Sequence, residues 1–164
     1  MNALTSSGLL EIHARAHRNL KDCLDFCQTL DVALFDRTMA EFNGTTIRLQ
    51  LHHVIGAERY WIGVLHGRID ADEDEDDHLY PTMELIEEMR QETSALTEAY
   101  LTAATPEELN TARPMKTWHG DEPMLFPGHV VVRTIVHIYH HMGQVSSMIR
   151  LLGQEPPRVD YPIK

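Results

Sequence analysis

The sequence predicts an all-α protein, a four-helix bundle with a long loop before its last helix; the loop has the turn signals of a short hairpin across 113–126. Three observations predict it. Four stretches carry apolar residues at three- and four-residue steps, breaker-rich segments separate them, and no other strand pair stands out. The length, 164 residues, suits a single domain over 1–164.

The first helix is expected from about Ser7 to Leu30, with Leu9, Ile12, Ala16, Leu20, Cys23, Cys27 and Leu30 as its stripe. Asn43-Gly44 and the capping residues Thr45 or Thr46 open the second, which ends at Gly67. Residues 70–77 read DADEDEDD, seven carboxylates in eight positions. Like charges this dense repel one another, so a solvated loop is expected; it lacks the spaced oxygens and glycine turn of an EF-hand. The third helix follows Pro81 with Thr82 as cap and carries Met83, Ile86, Met89, Thr93, Leu96, Tyr100 and Ala103 on one face, until Thr105-Pro106 stops it. No period holds from Glu107 to Gly128; Trp118, Met124, Leu125 and Phe126 there suggest an ordered loop covering something. The fourth helix is expected from His129 to Leu152, ended by Gly153 and Pro156-Pro157.

Composition narrows the function classes. The chain has 25 acidic and 14 basic residues, a net charge of −11, and phosphate binding needs clustered cations. Nucleic acid and anionic membrane are therefore poor partners. No run of about 18 apolar residues exists to span a bilayer, and the first residues lack the basic start of a leader, so a cytoplasmic protein is expected. Cys23 and Cys27 lie four apart, without C-x-x-C spacing, and read as small buried side chains.

Eleven histidines are the outlying number. His137 and His141 stand four apart on the fourth helix, where two imidazoles can bind one divalent ion. They share a row with Val130, Thr134, Gln144 and Met148, bordering the apolar face of Val131, Ile135, Ile138, Met142, Val145 and Ile149. His140 points elsewhere, to the surface or an interface. A bundle site needs a ligand from a facing helix. On the second helix His53 flanks the apolar stripe beside Ala57, Tyr60 and Val64, whereas His52 falls on a polar outer row with Gly56, Arg59 and Gly63. His13 and His17 also turn toward a stripe and are rivals, for this site or a second one. Glu58 falls near the centre of the second helix's apolar stripe. Either it accepts a hydrogen bond from a buried donor, such as a ligand histidine's other ring nitrogen, or it escapes to solvent at a bundle edge.

Two segments, L-H-H-V-I-G-A-E-R-Y-W-I from Leu51 to Ile62 and V-H-I-Y-H-H-M-G-Q-V from Val136 to Val145, resemble the DinB-like family of metal-dependent enzymes, as does the ending L-L-G-Q-E-P-P from Leu151 to Pro157. In that family a histidine precedes an E-x-x-W pattern, here His53 before Glu58 and Trp61. The fourth helix carries H-x-x-x-H, a basic residue, Gly and Gln; here Met142 stands in the basic position, followed by Gly143 and Gln144. The resemblance implies a four-helix bundle, often a homodimer, with His53, His137 and His141 holding a divalent ion, zinc first and nickel second, at an open coordination position. Some relatives use a low-molecular-weight thiol as cosubstrate.

Three imidazoles with an exchangeable position form a catalytic rather than a closed structural site. The leading expectation is transfer of, or addition by, a small thiol on a small-molecule substrate. Metal-water hydrolysis with Glu58 as base comes next, and a non-catalytic metal or small-ligand binding dimer is the alternative. Trp61, Trp118, Phe126 and Tyr139 are candidates to line a pocket.

Overall fold

The structure, a computed structural model, describes residues 4–68 and 77–163. The acidic segment expected to be a loop falls, apart from Asp77, outside the described residues. Four long helices dominate: α1 (Ser6–Gln28), α3 (Ile47–Leu65), α4 (Met83–Ala103) and α6 (Pro127–Leu151). Between them lie the short helices α2 (Val32–Phe35) and α5 (Pro106–Asn110) and the strands β1 (Arg113–Pro114) and β2 (Met124–Leu125). Around the bundle, α3 packs on α6 and on α4, and α1 packs on α4 and on α6. Helices α1 and α3 are thus diagonal partners.

Each start has a local cause. Thr5, Thr46, Thr82 and Thr105 turn their hydroxyl oxygens to accept from the backbone N–H of Gly8, Leu49, Leu85 and Glu108 at 3.1–3.4 Å, satisfying donors that the first helical turn leaves unpaired. Thr105-Pro106 therefore does two things. It ends α4, and the same pair begins α5, with the threonine as cap and the proline where a missing N–H costs nothing. The hairpin across 113–126 is present as an antiparallel pair, Arg113 opposite Leu125 and Pro114 opposite Met124. Trp118, Met124 and Phe126 are exposed on this segment, while buried Met115 and partly buried Leu125 pack against the core.

The core runs the length of the bundle, with Leu20, Leu24, Leu51, Ile55, Ile62, Ile86, Leu101, Ile138 and Ile149 essentially sealed from solvent. Cys23 and Cys27 are free and buried within it. Two apolar stripes differ from expectation. Ile12 and Leu96 lie at the surface, while His13, His17 and Thr97 are inside. A polar group at the centre of the bundle draws these three inward. No described helix is long and apolar enough to cross a membrane.

Candidate metal centre

His53 on α3 and His137 and His141 on α6 meet at the seam between those two helices. One ring nitrogen from each lies within 4.8 Å of the others. His53 Nε2 and His137 Nε2 are 3.3 Å apart, and the His137 and His141 ring centroids are 4.3 Å apart. The i, i+4 step on α6 sets the second spacing; packing of α3 against α6 sets the first.

The surroundings keep two of the rings deprotonated. His137 is pushed down to about 4, by burial first and then by the fields of His53, Arg133 and His140. His141 is pushed down to about 3 by burial, then by His137, His53 and His140. Both rings are neutral at pH 7, and a neutral ring keeps one nitrogen lone pair for a ligand bond. Gln50, one turn before His53, accepts a hydrogen bond from His141 Nδ1 at 2.5 Å. That bond fixes the His141 tautomer and leaves Nε2 as the free donor atom, as ligand histidines are commonly oriented. Sequence reasoning missed Gln50. The available signal was a polar residue three positions ahead of His53 on the same helical face.

Two cavities reach the trio. One of about 440 Å³ is bordered by His53, His141, Gln50, His52, Thr45, Leu49 and Asp77. The other, about 200 Å³, is bordered by His53, His137, Ala57, Trp61, Arg133 and Thr134. Of the aromatic residues considered for a pocket wall, Trp61 therefore lines one that touches the histidines. His52 is not on an outer row. It is buried, with its ring 5.3 Å from that of Tyr80, because the turn 77–79 and Tyr80 pack over that side of α3.

Glu58 is placed elsewhere. Its side chain is 1% exposed, so escape to solvent is not what occurs, and its hydrogen-bond donors are not the three histidines of the α3–α6 seam. It reaches across the bundle's diagonal to α1. His13 Nε2 and His17 Nε2 each donate to one carboxylate oxygen at 2.8 Å, and Thr97 Oγ1 from α4 donates at 2.6 Å. Burial alone would raise the Glu58 pKa; the hydrogen bonds that His13 and His17 donate outweigh it and hold the carboxyl well below the usual range. Behind this group, Arg90 Nη1 lies 3.3 Å from His17 Nδ1. Arg90 itself is gripped by both oxygens of Glu87 at 2.6 and 2.7 Å.

His13, His17 and Glu58 also bring ligand atoms within 4.8 Å of one another. Its hydrogen bonds fix where the protons of this second group lie. An arginine offers donors only, so His17 Nδ1 is the acceptor toward Arg90 and its proton sits on Nε2, facing Glu58. His13 Nδ1 is buried without a hydrogen-bond partner. A bare lone pair there is tolerated better than a bare N–H, which likewise puts the proton on Nε2. The central group is satisfied as a hydrogen-bonded carboxylate, and an ion there would have to displace the Nε2 protons of His13 and His17.

A helical bundle whose two adjacent helices bring three imidazoles to one seam defines a class of protein with a candidate centre for a divalent ion. The sequence profile of the DinB family matches residues 5–164, and the chain belongs to that family. Two solved structures share the fold. A DinB-like protein from Bacillus cereus ATCC 10987 superposes with a TM-score of 0.73 at 17% identity, over 94% of this chain and 97% of the other. A conserved protein from Enterococcus faecalis superposes with a TM-score of 0.67 at 20% identity, over 93% and 100%. No curated protein matches the chain.

Proposed function

We propose that this protein holds a divalent metal ion, zinc first and nickel second, on His53, His137 and His141. We further propose that it is a metal-dependent enzyme transferring or adding a low-molecular-weight thiol on a small-molecule substrate. One observation carries the reading: three imidazole nitrogens converge within 4.8 Å while Gln50 takes the other nitrogen of His141. Bound there, the ion supplies Lewis acidity, lowering the pKa of a thiol or water that reaches it. The chain's residues do the rest. His53, His137 and His141 orient that chemistry at the seam, and the two cavities beside them give a small molecule access.

Hydrolysis with Glu58 as base has less support, since His13, His17 and Thr97 engage its carboxylate at the bundle centre. The homodimer rests on the family likeness alone. The test is metal analysis of untagged protein, followed by a panel of thiols and electrophiles. About one equivalent of metal per chain is expected, lost in His53→Ala, His137→Ala and His141→Ala. Metal content unchanged in His137→Ala would overturn the centre. Full metal occupancy with no turnover across the panel would replace the enzyme with a metal-binding protein.

A further inference from the structure

Arg133 lies one helical step of four residues before His137, on the same row of α6. Its guanidinium carbon sits 4.8 Å from the centroid of the Trp61 ring, and both residues border the cavity of about 200 Å³ that ends on His53 and His137. In a chain with 25 acidic and 14 basic residues, cations near the bundle usually find carboxylates. Arg48 holds Asp36, Arg59 holds Glu92 and Arg90 holds Glu87. Among the described residues no carboxylate holds Arg133, and none borders its cavity. The larger cavity differs: its Asp77 is already within 3.7 Å of Arg48.

We propose that Arg133 anchors a carboxylate on the small molecule that reaches the histidines, so that the substrate or cosubstrate of this site is a small organic acid. The inference rests on the metal reading above. A guanidinium over an aromatic ring keeps its planar N–H fork for a carboxylate, and the ring holds the fork in place. His53, His137, Trp61, Ala57 and Thr134 form the remaining walls, so among the described residues an entering carboxylate meets the Arg133 guanidinium and no opposing carboxylate. Arg133 and His137 are one helical turn apart, a rise of about 6 Å between their backbone positions, so a short acid is the class to probe.

Cobalt-loaded protein tests this with two probes, 3-mercaptopropionate and the uncharged 3-mercaptopropionamide, titrated while the sulfur-to-cobalt charge-transfer band is read. The acid should bind about tenfold more tightly than the amide, a modest value for a charge-assisted pair at a partly open site. In Arg133→Gln that ratio should fall to about one while the amide's affinity stays as it was, and Arg133→Lys should retain part of it. Equal affinities in the unsubstituted protein, or a ratio that survives Arg133→Gln, would overturn the anchor and leave the metal centre standing. Protein that takes up no cobalt would remove the metal centre, and the anchor with it.

Discussion

Replacing Glu58 by glutamine tests the proton assignment at the bundle centre. The change keeps shape and volume but turns one acceptor oxygen into an NH₂ donor. The remaining amide oxygen can still serve His13 and Thr97, which both bond Oε1. The new NH₂ then faces His17 Nε2 in place of Oε2. His17 cannot escape by moving its proton to Nδ1, because Arg90 Nη1 waits there as a donor at 3.3 Å. One buried donor is left unmatched and the charge-assisted character of the other bonds is lost. Each hydrogen bond to a charged group contributes about 1.5–3 kcal/mol and an unsatisfied buried group costs about 1–3 kcal/mol. Relief from burying a charge offsets part of this, so a loss of about 2–4 kcal/mol is expected. For a chain of this size that lowers Tm by roughly 5–15 °C, measured by calorimetry alongside urea unfolding. Adding Arg90→Gln frees Nδ1 to take the proton, so the double variant should lose less than the sum of the two single losses. Metal content should stay that of the unsubstituted protein. A loss under about 0.5 kcal/mol, or strict additivity with Arg90→Gln, would refute the assignment of protons around Glu58.

Acid should weaken the fold in two windows that overlap below pH 4.5. Because His137 and His141 titrate lower in the folded chain, at about 4 and about 3 against an ordinary 6.5, the unfolded chain takes up those protons first. Their contribution is whole above pH 6.5 and declines as pH falls from there. Glu58, whose carboxyl is lowered from its ordinary 4.5, contributes fully above that pH and loses its share below it. Stability curves of metal-free protein should flatten between pH 6.5 and 4 in His137→Ala with His141→Ala, and below pH 4.5 in Glu58→Gln; curves that keep the parent slope would contradict this. Gly128→Ala should cost about 1–3 kcal/mol, because the added carbon would lie 2.8 Å from the Leu109 carbonyl oxygen and 2.7 Å from Leu4 Cδ1; an unchanged urea midpoint would show that α5 and α6 can separate freely. Cys27 has its thiol raised by its contact with Cys23 and by burial, so an aromatic disulfide reagent should react slowly with native protein and rapidly with two thiols once denaturant is added. Rapid native reaction would mean that α1 opens readily.

Much of the fold was legible because its signals are local. Thr46 and Thr82 cap their helices as their position before an apolar run implies, and the rows containing His53, His137 and His141 follow from helical periodicity. What escaped depends on long-range packing or on one residue serving two elements. Thr105-Pro106 reads as a stop, and its second use as a start shows only once α5 is seen. Ile12 and Leu96 fit an apolar stripe, yet the axis of the bundle is set by a carboxylate that turns His13, His17 and Thr97 inward in their place. A clue was present: two histidines and a glutamate on apolar faces of different helices must find one another or unfold the core. Gln50 was overlooked because a lone amide on a helix carries no motif, and only its distance from His141 gives it a role.

Helix α3 faces two ways. On its inner side Glu58 fastens it to α1 and α4, and on its flank His53 meets α6. The fastening and the histidine seam therefore share a rigid rod but no side chain. Substitutions at the cavity rim around Trp61 and Arg133 can reshape it without touching this central clasp.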